Sequence, residues 1–243
     1  MLCPSEARIP HWKPYLPLAI FPILALFPFN WVEFSWGFHH RHDPMPAEVA
    51  QRAERVGRYV LWLRNGLVVA IVLGLARHQS LRFSQIGLRL DGWQRNSLIG
   101  IVAALLPLGL QRFSRTLYPL PDIRDKPLAA EPTANWIFSQ LVSVLAEELW
   151  IALCLVCLIR TGHSTAVAVI LTSTVFGALH FQRRSGVIGT TVYGAVSACL
   201  FLWRGSLLSS YISHYVRNMG AFYWARRVTR MPDQMTSSPP STS

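Results

Sequence analysis

A few polar residues stand where the surrounding chain is apolar. Glu147-Glu148 lies inside one apolar run, His180 closes the next, and His214 and Asn218 share the last. A carboxylate sheltered from bulk water is a strengthened proton acceptor. Glu147 can therefore act as the general base that activates a water for hydrolysis. One Glu and two His also make a ligand set suited to catalytic zinc, with water in the fourth place. Here that set would be Glu147, His180 and His214. The chain has no His-Glu-x-x-His, so its zinc ligands would have to come from three separate segments.

Each position also has an ordinary structural reading. The Glu pair can be a buried pair satisfied by Arg or backbone from another helix. A His at a helix end is often interfacial. His214 and Asn218, at i and i+4, stack on one helix face and can simply hydrogen-bond two helices together. What sets the positions apart is their cost. Charged groups within a membrane span are expensive and mark function by default. Neighbouring helical residues point about 100° apart. Glu147 and Glu148 should therefore face different neighbours, one toward a reaction site and one toward a second helix.

The elements that must position these residues are apolar runs. About seven segments approach the ~20 residues needed to cross a bilayer: Tyr15–Phe34, Val56–Ala76, Ser97–Leu110, Trp136–Ile159, Thr165–His180, Val187–Trp203 and Leu207–Trp224. Pro17, Pro22 and Pro28 should kink the first or hold it at the interface. It also lacks the small-residue pattern of a signal-peptide cleavage site. Ser97–Leu110 is short. Pro46-Ala47-Glu48 reads as a helix start. His39-His40-Arg41-His42 reads as a solvated interfacial loop rather than a metal site. Residues 231–243, rich in Ser, Thr and Pro, read as a disordered tail. The expected architecture is all-α: one polytopic transmembrane helical domain over residues 1–230.

Composition agrees. Half of the 243 residues are hydrophobic and 14% are charged, against about 25% charged in soluble chains. The net charge of +11 comes from short Arg groups between apolar runs. These suit anionic lipid head groups and form no single patch of the kind nucleic acid requires. The basic groups favour the side holding the carboxy terminus, led by Arg52, Arg55 and Arg58, Arg183-Arg184 and Arg226-Arg227. That side is expected to be cytoplasmic. Cys154-x-x-Cys157 reads as small apolar packing residues rather than a redox or metal pair. A proton-coupled transporter should show an inverted repeat, and none is visible.

Three motifs in order then suggest a family. Ala146-Glu147-Glu148-Leu149, Phe176-x-x-x-His180 and His214-x-x-x-Asn218 occur in successive late runs. Together they resemble the CAAX prenyl endopeptidase and bacteriocin-processing (CPBP, or ABI) family of intramembrane peptidases. Gln85-Ile86-Gly87-Leu88-Arg89 resembles a weaker family feature, so the likeness covers about residues 84–224. There is one departure. The family's first motif runs Glu-Glu-x-x-x-Arg, and Ala152 stands at the Arg position. Glu148 then needs another partner, for which Arg217 and Arg64 are candidates.

The resemblance implies an intramembrane endopeptidase of the glutamic type with no metal cofactor. Glu147 would activate water that His180 helps to hold. His214 and Asn218 would donate to the oxyanion, with Glu148 and Phe176 in support. The substrate would be a membrane-associated protein or peptide cut near its end; prenylated proteins are the substrates of CAAX processing. In a bacterial source the expected location is the plasma membrane. The alternatives are a catalytically inactive scaffold or immunity protein, to which Ala152 points, and a zinc-dependent membrane protease.

Overall fold

A computed structural model describes residues 15–18, 47–117, 134–180 and 184–230. They form helices, with no strand among the described residues. Helix α1 is Ala47–His78, α2 Trp93–Leu117, α3 Ala134–Arg160, α4 Thr165–Ala178, α5 Arg184–Arg204 and α6 Leu207–Arg230. A 3-10 turn, Phe83–Ile86, lies between α1 and α2. These helices correspond in order to the expected runs from Val56–Ala76 onward. Helix α1 begins at Ala47, directly after Pro46. The rest of Tyr15–Phe34, the His39–His42 cluster and the tail 231–243 fall outside the described residues.

Among the described residues, two helical segments are long and apolar enough to cross a membrane by length and composition: Ile137–Arg160 and Val187–Arg204. Two of the other expected spans, in α4 and α6, fall short for visible reasons. Helix α4 has 14 residues. Helix α6 carries a Ser-rich first half and then His214, Arg217 and Asn218. The outward faces are nevertheless apolar. Leu63, Leu98, Leu105, Ile170, Ile188, Val192 and Trp203 are all exposed large hydrophobics. Such contiguous faces suit lipid; on a water-exposed monomer they would drive association.

Helix α3 is the centre. It packs against α1, α4, α5, α6 and the 3-10 turn. Every residue from Leu149 to Leu158 is buried, as expected for a helix that is apolar all round. Cys154 and Cys157 belong to this core, with the Cys157 thiol donating to Gln79 Oε1 at 3.0 Å. The helix ends where Gly162 takes a left-handed φ of 91° and His163 N–H reaches back to the Leu158 carbonyl. Ser164 then caps α4 by accepting from the Val167 N–H. A link this short makes α3 and α4 neighbours.

The start of α6 is fixed by the 3-10 turn. Ile86 is fully buried, and the Gly87 carbonyl accepts the Leu207 N–H at 2.9 Å. The Gln85–Arg89 stretch is thus a docking turn for α6. Ser206, Ser209, Ser210 and Ser213 then line the buried side of α6. Small residues there let backbones approach closely. A Cβ on Gly100 of α2 would meet the Ser209 carbonyl oxygen at 2.6 Å.

The α4–α5 contact is equally close. A Cβ on Gly177 would lie 2.8 Å from the Val187 carbonyl oxygen and 1.8 Å from Thr191 Oγ1. Gly177→Ala should therefore lower the melting temperature in detergent, despite the ~1 kcal/mol gain in helix propensity that Ala gives over Gly. Gly66→Ala, at a position with nothing within 4 Å, should leave it unchanged or raise it. A stable Gly177→Ala protein would mean that the two helices are not held this closely.

Candidate active site

The carboxylates of Glu147 and Glu148 sit where α3 passes from its partly exposed beginning into its fully enclosed half. Glu148 is sealed, with its side chain 1% exposed. The Ser197 hydroxyl of α5 donates to its Oε2 at 2.5 Å. His214 of α6 places Nδ1 2.8 Å from its Oε1. A carboxylate only accepts, so His214 donates through Nδ1. Glu148 therefore ties three helices together through two charge-assisted hydrogen bonds.

Glu147 is the more open of the two, with its side chain 19% exposed. Its Oε2 lies 3.6 Å from His214 Nε2, beyond hydrogen-bond range. The two carboxylates leave the helix in different directions, yet they flank one imidazole, one at each ring nitrogen. Residue identity alone does not show this sharing.

Of the other expected residues, Phe176 packs directly on the same ring. Phe176 of α4 is fully buried, and its ring centre is 6.1 Å from that of His214 and 4.9 Å from that of His180. Trp150 of α3 stacks on the same phenyl ring at 6.3 Å. His180 is exposed at the end of α4. Its Nδ1 is 2.8 Å from the Phe176 carbonyl, which can only accept. Nδ1 thus carries a proton, and in the neutral ring Nε2 is the acceptor. Asn218 is half-buried one turn beyond His214. Among the described residues its side chain has no hydrogen bond, and neither His180 nor Asn218 directly contacts a carboxylate.

The partners expected for Glu148 need correction. Neither Arg217 nor Arg64 pairs with it; His214 and Ser197 do. Both guanidinium charges instead act on Glu147. The position of the missing motif Arg, Ala152, is fully buried among apolar side chains. The compensation that an Arg one turn along α3 would supply comes here from other helices.

Two residues of α5 complete the site although their types draw no attention in the sequence. Ser197 is one of several small polar residues in an apolar run. Tyr193, buried, sets its ring 4.8 Å from that of His214. The available signal was their spacing: both are polar-tipped residues one turn apart in the same run. As for metal, no group of three His, Cys, Asp or Glu among the described residues is arranged to hold an ion.

Residues 129–220, which include every residue of this site, match the family described as Rce1-like, type II CAAX prenyl endopeptidase. No curated protein and no solved structure matches the chain.

The asymmetry of the pair can be measured. Glu148→Ala strands the His214 Nδ1–H and the Ser197 hydroxyl in a sealed site, and should cost about 3 kcal/mol. Glu147→Ala breaks no hydrogen bond to His214 and should cost under ~1 kcal/mol. Thermal unfolding of both variants in the same detergent tests this. Equal losses would contradict the separation of roles.

Proposed function

We propose that this chain, whose residues 129–220 belong to the Rce1-like branch of the CPBP family, is an intramembrane endopeptidase in which Glu147 activates the attacking water. The family supports a CAAX-type protease. The exposed apolar faces and the two span-length helices support a membrane setting for it. The observation that carries the assignment of Glu147 is the contrast within the Glu pair. Glu148 is committed to two hydrogen bonds, whereas Glu147 is partly open and has none to His214.

The chemistry follows from the proton positions. Glu147 takes a proton from water, and the hydroxide attacks the scissile carbonyl carbon. His180 Nε2 has a lone pair with which to accept the water's other hydrogen. The carbonyl oxygen becomes an oxyanion, and Asn218 has a free amide N–H to donate to it. His214 Nε2 can donate only when the ring carries both protons, since Nδ1 already donates to Glu148. The carboxylates at either nitrogen balance that positive charge. When the tetrahedral intermediate collapses, the C–N bond breaks and Glu147 returns its proton to the leaving amine. No step requires a metal ion. The substrate is a membrane-associated protein or peptide cut near its end, and the basic side of the bundle faces the cytoplasm.

The test is cleavage of a prenylated peptide by protein reconstituted in liposomes. Glu147→Gln should fold and lose turnover, because the amide cannot take a proton. Asn218→Ala should lower kcat about 10²-fold, as expected for one oxyanion donor. Full activity in Glu147→Gln would refute the general-base role. Activity lost to a chelator and restored by zinc would make Glu147, His180 and His214 metal ligands. No cleavage by the unaltered protein would favour the inactive-scaffold alternative.

A further inference from the structure

Trp150 takes no part in the chemistry above, yet it supports a ring that touches it. It follows the Glu pair on α3 and is buried. It stacks on Phe176 with ring centres 6.3 Å apart and planes 27° apart. A buried indole N–H needs a partner, and this one donates to the Pro17 carbonyl at 2.9 Å. Pro17 is itself buried, and Leu18 beside it packs against the core around α3. A second tie holds the same short segment. The Tyr15 hydroxyl lies 3.1 Å from His163 Nε2, in the turn between α3 and α4.

Phe176 passes this constraint on. A phenyl ring turns about a broad, two-fold torsion unless its neighbours stop it. Here the indole lies against it, and the α5 backbone is close on another side: a Cβ added to Gly194 would meet a Phe176 ring carbon at 3.0 Å. The confined phenyl then touches both imidazoles of the site. Its centre is 4.9 Å from that of His180, and it meets the His214 ring nearly edge-on at 6.1 Å. The Phe176 carbonyl also accepts from His180 Nδ1. Two reacting rings thus rest on one side chain, and that side chain rests on Trp150. Reacting groups hold their geometry only where the residues behind them are locked in turn.

Tyr15 and Pro17 lie outside residues 129–220, the part of the chain that matches the family. We propose that Trp150, anchored to the Pro17 carbonyl, is a positioning residue that sets the His180 and His214 rings through Phe176, so that residues 15–18 contribute to turnover without reaching the reacting atoms. This rests on the peptidase reading and adds to that site a support from outside the matched segment.

The experiment compares the unaltered protein, Trp150→Phe, Tyr15→Phe and the double variant in liposomes, with a prenylated peptide as substrate. Trp150→Phe keeps a ring against Phe176 and removes the donor. Its kcat should fall about tenfold with KM unchanged, part of the ~10²-fold that a 1 Å misplacement can cost. Tyr15→Phe should lower kcat in the same direction. The double variant should lose less than the product of the two, as residues in one chain of contacts do. A role in packing alone would lower the melting temperature and leave kcat per folded molecule unchanged, which overturns the proposal. A Tyr15→Phe protein with full kcat, or two losses that multiply in full, overturns it as well. Tyr15 is exposed, so its substitution provides the test even where Trp150→Phe does not fold. A readout independent of cleavage is the nitrogen NMR spectrum of isotope-labelled histidine. Both substitutions should shift the His180 signal away from the Nδ1-protonated form, and an unmoved signal overturns the proposal. A moved signal in a protein that cleaves nothing in its unaltered form would overturn the peptidase reading alone.

Discussion

Glu148 is a carboxylate in a place with almost no access to water, and the arrangement around it follows from that. An isolated ionised carboxylate in such surroundings is costly. It is held here by a hydroxyl from α5 and an imidazole from α6. Satisfying it brings three helices to one point and fixes the tautomer and tilt of His214. The ring nitrogen left over then faces Glu147. The sealed acid prepares the position of the open one, in the way outer groups orient the groups that react.

The supports of that junction are mostly small or aromatic. Gly177 lets α4 lie against α5, Gly100 lets α2 lie against α6, and the carbonyl of Gly87 secures the first residue of α6. Phe176 and Tyr193 press on the His214 ring from different helices. The imidazole is therefore confined by packing as well as by its hydrogen bond. Loss of either ring would loosen the nitrogen that faces Glu147 without removing any hydrogen bond.

Much of this was legible in the sequence, and the rest was hidden for physical reasons. The helices of the late half follow the apolar runs closely: α3 and α5 extend the expected spans by only a few residues, and α6 begins at Leu207 as expected. The i, i+4 spacing places His214 and Asn218 on one face, and the motif order points to the family whose description residues 129–220 match. Ser197 and Tyr193 were not legible as site residues. A serine in an apolar run is ordinarily satisfied by its own helix, and only tertiary packing shows that this one serves a carboxylate on α3. The partner of Glu148 is hidden for a related reason: a buried charge predicts an Arg such as Arg217 or Arg64, whereas the groups that reach it are the His214 imidazole and the Ser197 hydroxyl. Helix α2 runs well beyond Ser97–Leu110, from Trp93 to Leu117.

The enclosed stretch of α3 from Leu149 to Leu158 has a kinetic meaning. Local opening of a protein is easiest where contacts are few and hardest where an element is packed on all sides. This stretch is the longest buried run among the residues whose burial is described, so its amides should be among the last to exchange with solvent. The Glu pair sits at the threshold of that slow region. Glu148 belongs to the part of the molecule that stays closed on the longest timescale, whereas Glu147 looks toward parts that can breathe. Exchange with the surroundings is then confined to one side of the pair, while the junction that sets the geometry stays shut on the other.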